Sequence, residues 1–278
     1  MNIVITGTRT GIGNWLALHC GRSGHEIWGI SRGSQADFQQ VCAERGVVFR
    51  GSQCDVSDWR QVSGFREEVG KRWRHLDALI CCAGIQAPIG PAMSLEPEAW
   101  SRNVRFNLDG TFYCIRAFYD LLSRAPIRAK IVCFSGGGST GPRENFSAYA
   151  CAKTGVVRLV ETLAAEWAGQ RIDINAIAPG AINTGMTEEI LSLGPEVAGE
   201  KECAQARKQK ASGGAPVEKV GGLVDFLLSA GSDGLSGKLI SAQWDPWSAL
   251  GGRREELGRS DIYNLRRIVP RDRGEDWT

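Results

Sequence analysis

No apolar run in the 278-residue chain reaches the length of a membrane span, so a membrane protein is not expected. A secretory leader is missing too: Met1 is followed almost at once by the apolar Ile3-Val4-Ile5, which is read as leaving no room for one. No block of like charge occurs. Thirty-three basic and 31 acidic residues are interspersed and leave a formal charge of +2, without the footprint expected of a nucleic-acid partner. Zinc-like cysteine spacing is absent. The nine cysteines are an odd number scattered through core-like segments such as Leu79-Ile80-Cys81-Cys82-Ala83. They read as small buried hydrophobes in a reducing cytoplasm, with no metal role. There is no low-complexity segment and no internal repeat. What remains, 42% hydrophobic and 23% charged, is ordinary for a folded soluble chain long enough to be stable without disulfides or metals.

Apolar strand-like runs at 3–6, 27–30, 47–49, 78–82, 131–134, 174–178 and 239–241 alternate with amphipathic stretches, for example 11–21, 59–72, 111–123 and 147–168. Most runs lack polar/apolar alternation, as strands buried on both faces of a parallel sheet do. This rhythm predicts a doubly wound α/β sheet in a single domain, residues 1–248. Residues 185–215 interrupt it. Residues 249–278, with seven arginines against six acidic residues, read as a charged tail, either a solvated arm or an extension contacting a partner.

The first run leads through Thr6-Gly7-Thr8-Arg9-Thr10-Gly11-Ile12-Gly13 into a helix. Glycines 7, 11 and 13 permit a tight turn and close backbone approach to a pyrophosphate, which the free N–H groups of a helix start attract. The strand before and helix after make this a dinucleotide-binding candidate, with Ile12 inside the turn. The second run ends in Ser31-Arg32, where an acidic residue would hold the ribose hydroxyls of NAD. A small neutral residue followed by a guanidinium favours the 2′-phosphate of NADP(H) over NAD(H), and Arg9 offers a second cation.

Tyr149-Ala150-Cys151-Ala152-Lys153 places a phenol and an ammonium at i and i+4, on one face of a helix. An ammonium beside a phenol lowers its pKa, and such a tyrosine gives a proton to a carbonyl oxygen or takes one from an alcohol.

The Gly-x3-Gly-x-Gly spacing, followed in order by Tyr-x3-Lys, resembles the short-chain dehydrogenase/reductase family of the classical short type, over residues 2 to about 242. The resemblance implies a Rossmann-type fold and an NAD(P)-dependent oxidoreductase acting on a small alcohol or ketone, usually as a homodimer or homotetramer. It implies that Asp55, beside Val56, contacts the adenine and that Ala83 and Gly84 lie close to the ribose. It also implies that Pro179-Gly180 passes under the nicotinamide and that Thr184 touches the cofactor. Asn107 matches the family's active-site asparagine.

Three features depart from the pattern. The family's serine stands thirteen residues before the tyrosine, and that position is Gly136. Ser135 is one residue early and Ser139 three late; Ser135, at the strand end, is taken as the candidate. Cys81-Cys82 stand where relatives carry two asparagines. Trp244 and Trp247 extend the exit of the last strand, as covers for the core edge or as stacking surfaces. Leu159, Val160, Leu163 and Trp167 are read as giving their helix a second apolar face for a partner. An epimerase or dehydratase that recycles its cofactor, and a non-catalytic NADP(H)-binding regulator or scaffold, stand as alternatives.

Overall fold

The first apolar run, β1 (Asn2–Thr6), sends Ile3 and Ile5 into one core and Val4 into another. A strand buried on both faces needs a covering layer on each side, and this requirement shapes the domain. The computed structural model describes residues 1–277. The other strands are β2 (Glu26–Ser31), β3 (Phe49–Gln53), β4 (Ala78–Cys81), β5 (Ala129–Phe134), β6 (Ile172–Ala178) and β7 (Leu239–Ser241). All pair in parallel in the order β3-β2-β1-β4-β5-β6-β7.

In chain order the first helices are α1 (Gly11–Arg22), α2 (Ala36–Glu44), α3 (Trp59–Arg72), α4 (Pro97–Val104), α5 (Gly110–Leu122) and α6 (Ser147–Glu166). They are followed by α7 (Gly185–Leu193), α8 (Pro195–Ala198), α9 (Glu200–Ser212), α10 (Val217–Leu228) and α11 (Arg254–Gly258). Leu16, Cys42 and Leu223 bring α1, α2 and α10 onto the Ile3/Ile5 face; Phe65, Phe118 and Val160 bring α3, α5 and α6 onto the Val4 face. Each such fully buried side chain contributes about 1.5–3 kcal/mol relative to exposure. A third, smaller cluster joins Tyr149 and Phe146 to Ile190, Ala198, Cys203 and Ala206 of α7–α9. The interruption at 185–215 is thus a helical cover over the carboxyl ends of the strands.

The third strand begins at Phe49 rather than at 47. Val47 is buried, but it packs against Gly21, and Val48 is exposed. The strand itself, Phe-Arg-Gly-Ser-Gln at the sheet edge, is too polar to announce itself by hydrophobicity. The tail also differs from a free arm. Leu250 and Leu257 are buried in the second core, and Leu239 N–H donates to the Tyr263 carbonyl (2.9 Å). The buried ammonium of Lys238 donates to the carbonyls of Ser260 (2.9 Å) and Ile262 (3.0 Å) and to Asn264 Oδ1 (2.6 Å). On α6, Val160 and Leu163 are core residues, while Leu159 and, just past the helix end, Trp167 pack against the same core and stay half-buried. All nine cysteines are free thiols, seven of them buried. Among the described residues no helix is long and apolar enough to cross a membrane.

Cys81, the last residue of β4, and Cys82 after it cannot tie the strand to its neighbour as asparagines would. Thr6 does so instead: its Oγ1 accepts from the N–H groups of Cys82 (3.0 Å) and Ala83 (2.9 Å). Thr6→Val keeps the side-chain shape and leaves both donors unpaired, at a cost of about 2 kcal/mol or more. A lower urea midpoint with an unchanged m-value is the expected readout.

Candidate active site

The turn after β1 is built by its glycines. Gly7 (φ 79°) and Gly11 (φ 62°) lie in the left-handed region, where side chains are disfavoured. A Cβ on Gly7 would stand 2.8 Å from Ala83 Cα, and one on Gly13 would overlap the Gly7 carbonyl. Ile12 anchors the turn by packing against the second core. Thr10, just before α1, makes no side-chain cap, so the first amides of the helix remain available to an anion. These residues fit a pyrophosphate.

Beyond the turn, Ser31 Oγ donates to the Gly33 carbonyl (2.8 Å). The Arg9 guanidinium lies over Gly33, where a Cβ would be 2.6 Å from its Nη1. Arg32 stacks 4.8 Å above the Phe106 ring. Two exposed guanidinium groups therefore flank this end of the cleft. Asp55 Oδ1 accepts from Ser57 N–H (2.9 Å) and Oγ (2.7 Å), and its neighbours Cys54 and Val56 line the cleft. Asp58 caps α3.

At the other end, Tyr149 and Lys153 are both buried on the first two turns of α6. The Lys153 ammonium donates to the Phe134 carbonyl (2.9 Å) and lies 5.7 Å from the centre of the Tyr149 ring. Burial pulls Lys153 down to about 8, with the thiols of Cys82, Cys133 and Cys81 opposing. Burial pushes Tyr149 up to about 12. The Arg143 guanidinium opposes this rise.

Asn107 sits fully buried in a π-helical turn, residues 105–109, a local widening common at functional sites. It donates to the Ile85 carbonyl (2.9 Å) and to Asn103 Oδ1 (2.9 Å), and accepts from Ile85 N–H (3.2 Å). A Cβ on Gly84 would stand 3.2 Å from Asn107 Oδ1 and 3.4 Å from Lys153 Nζ, a tight fit at the point where these groups converge. Across the cleft, Gly180 (φ 87°) follows Pro179, whose carbonyl accepts from Gln243 (2.9 Å). Thr184 caps α7, and its methyl group stands 3.5 Å from where a Cβ on Gly11 would lie. The strand-six turn thus meets the glycine turn over a cleft of about 1170 Å³.

The serine question resolves in part. Ser135 ends β5 buried, with its Oγ unpartnered, and Ser139 is buried as well. Among the described residues neither hydroxyl bonds to Tyr149. The residue against the phenol is Gly136, where a Cβ would overlap the Tyr149 hydroxyl.

Comparison with known proteins agrees with this geometry. Residues 1–192 match the family model for short chain dehydrogenase. The chain belongs to that family. The enzyme is 31% identical over 184 residues to the D-threitol dehydrogenase of Mycolicibacterium smegmatis (65% of this chain, 70% of the relative). It is 30% identical over 236 residues to the levodione reductase of Leifsonia aquatica (82% and 86%). Among solved structures it superposes on one from Beutenbergia cavernae, described as an NAD(P)-dependent gluconate 5-dehydrogenase with bound NADP at low occupancy. That match has a TM-score of 0.77 at 26% identity and covers 87% of this chain and 94% of that one. The fold also matches an actinorhodin polyketide ketoreductase with NADPH, at a TM-score of 0.78 and 23% identity (90% and 97% covered). The enzyme is an NAD(P)-dependent oxidoreductase of this family.

Several supporting residues were not legible beforehand. Asn103 donates to the carbonyls of Gln86 (3.0 Å) and Ala87 (2.7 Å) and fixes the loop beside Asn107. Its i, i+4 spacing to Asn107 was the available signal. Gln243, which holds the Pro-Gly turn, gave none. Trp247 covers the core edge beside Phe226, whereas Trp244 is 86% exposed at the cleft.

Two outcomes test the site. Gly13→Ala places a methyl group on the Gly7 carbonyl and should weaken dinucleotide binding at least about tenfold in a fluorescence titration, the scale expected when a steric clash costs 1.4 kcal/mol or more. The buried lysine gives the second. Between about 8, its folded value, and about 10.4, its unfolded value, the unfolded chain binds more protons at Lys153. Its contribution to stability therefore rises with pH from about 8 to 10, and Lys153→Met should flatten that part of the profile.

Proposed function

We propose that this enzyme interconverts a hydroxyl and a carbonyl group on a small alcohol or ketone, using NADP(H) in preference to NAD(H), with Tyr149 as the general acid/base. The observation that carries the cofactor choice is the pair of guanidinium groups, Arg9 over Gly33 and Arg32 over Phe106, at the end of β2 where no carboxylate stands. A 2′-phosphate gains charge-assisted hydrogen bonds there. A ribose diol would find no acidic acceptor. Gly7, Gly11, Ile12 and Gly13 hold the pyrophosphate, Ser31 and Val56 face the adenosine, and Ala83, Gly84, Pro179, Gly180 and Thr184 line the path to the nicotinamide. Asp55, held by the Ser57 turn between Cys54 and Val56, stands at this wall to contact the adenine.

The bound nicotinamide supplies or accepts the hydride. Tyr149 gives its proton to the carbonyl oxygen in reduction and recovers it in oxidation. Lys153, between the Phe134 carbonyl and the ribose region, and Asn107, locked to Ile85, keep the proton path in register. Ser135 stands beside this group at the strand end. The matched relatives are named as dehydrogenases and reductases, which favours net oxidoreduction over an internally recycled cofactor or a scaffold role. The free, buried thiols suit a cytoplasmic setting, and we expect a homodimer or homotetramer.

A phenol held near 12 is protonated at neutral pH, the form needed for carbonyl reduction. Reduction should therefore be flat from pH 6 to 9, while alcohol oxidation, which draws on the phenolate, should rise by up to about tenfold per pH unit. For the cofactor, NADPH and NADH are titrated separately against wild type, Arg32→Ala and Arg9→Ala. NADPH binding that weakens selectively in either variant supports the reading; equal affinities for both cofactors in wild type sink it.

A further inference from the structure

The glycines that follow β5 clear a space that two other side chains fill. The phenol of Tyr149 lies where a side chain at Gly136 would be. The next residue, Gly137, faces Arg143, whose Nη1 would stand 3.4 Å from a Cβ there. Phenol and guanidinium thus lie side by side along consecutive residues of the strand exit, with the guanidinium carbon 5.9 Å from the centre of the Tyr149 ring. Arg143 is fixed from below by the Phe146 ring, 3.7 Å away. It is fixed from behind by Glu202 of α9, which accepts from Nε (3.1 Å) and Nη2 (2.7 Å) through one oxygen. Both partners are largely withdrawn from solvent, at 16% and 18% side-chain exposure. Only Nη1 is loosely engaged, by Gln86 Oε1 at 3.4 Å, and all three residues line the cleft.

We propose that Arg143 donates the hydrogen bond to the substrate's carbonyl oxygen that a serine at 136 would otherwise provide, and that Glu202 is the residue that positions it. This rests on the hydroxyl/carbonyl reading given above. As hydride reaches the carbonyl carbon, negative charge develops on the oxygen, and the proton that neutralises it comes from Tyr149. Arg143 exchanges no proton, because a guanidinium stays charged throughout the working pH range. It lowers the barrier by meeting the developing charge with a donor already in place. Glu202 belongs to the helical cover, so seating that cover and placing the donor are one event. The groups facing the phenol are then Arg143 and Lys153 as cations and the Cys82 thiol, and the Arg143 charge favours the phenolate.

The test uses Arg143→Gln, Arg143→Lys, Glu202→Gln, Glu202→Asp and Ser135→Ala in the full chain. The first readout needs neither cofactor nor substrate: ultraviolet titration of the four tyrosines up to pH 11.5, with Tyr149 isolated by difference against Tyr149→Phe. Arg143→Gln should move the onset of Tyr149 ionisation to higher pH, and Arg143→Lys, which keeps the charge, should not. The second readout is reduction of 2,3-butanedione with NADPH. Arg143→Gln should lower kcat about 100-fold with a smaller change in KM, the scale of a lost oxyanion donor. Arg143→Lys should fall between, Glu202→Gln should lose about tenfold in kcat, and Glu202→Asp should restore most of it, as expected when a fixed donor loses and regains its positioning partner. Ser135→Ala should lose clearly less kcat than Arg143→Gln, since the guanidinium is the main donor. An unmoved Tyr149 titration in Arg143→Gln, or a Ser135→Ala loss as deep as that of Arg143→Gln, overturns the proposal. Wild type that reduces no carbonyl counts against the functional reading alone, because the titration stands apart from turnover.

Discussion

The close approach of β1 and β4 at Gly7 is the constraint on which the rest depends. Ala83 Cα would lie 2.8 Å from any Cβ on Gly7, and the Thr6 hydroxyl takes both amide donors of Cys82 and Ala83. Here the strand order reverses direction, running outward to β2 and β3 on one side and to β5, β6 and β7 on the other. A crevice opens at such a point because the connections leave to opposite faces of the sheet. A larger side chain at 7 would push the strands apart and close the floor on which a dinucleotide lies.

The cleft that opens from this point is electrostatically lopsided. Its β2 end carries two exposed guanidinium groups, where water screens each interaction. Its β5 end is dry. There, burial raises the Tyr149 phenol from about 10 to about 12 and lowers Lys153 to about 8, so both groups are held toward their neutral forms. Two pKa units correspond to roughly 3 kcal/mol, the net of desolvation and the Cys82 thiol against the opposing charge of Arg143. The phenol thus keeps its proton at neutral pH, with the Arg143 guanidinium as the charge that opposes this effect of burial.

Much of this was legible in the sequence, because the parts that were legible are those in which local pattern and physical need coincide. Glycines at 7, 11 and 13 are required by backbone geometry, and Tyr149 and Lys153 by helical periodicity. The bounds of α3 and β7 followed from apolar periodicity flanked by turn residues. Other parts were hidden because they are tertiary. The orientation of Lys153 toward Phe134 depends on a strand exit nineteen residues away. Arg143 reads as one more loop arginine until Glu202, 59 residues later, is brought against it. The polar edge strand β3 and the charged tail misled for the same reason: burial there comes from neighbours, not from the segment's own composition.

The clamp on Lys238 has a consequence for how this molecule behaves in company. β7 is a three-residue strand at the end of a seven-stranded sheet, and such a rim presents unpaired amides and carbonyls to any extended chain. Tyr263 offers its carbonyl to Leu239, while the ammonium of Lys238 gathers the segment from Ser260 to Asn264 over that rim. The final stretch of the polypeptide thereby serves as a selvedge, finishing the fabric of the sheet so that it does not unravel into, or stitch onto, another.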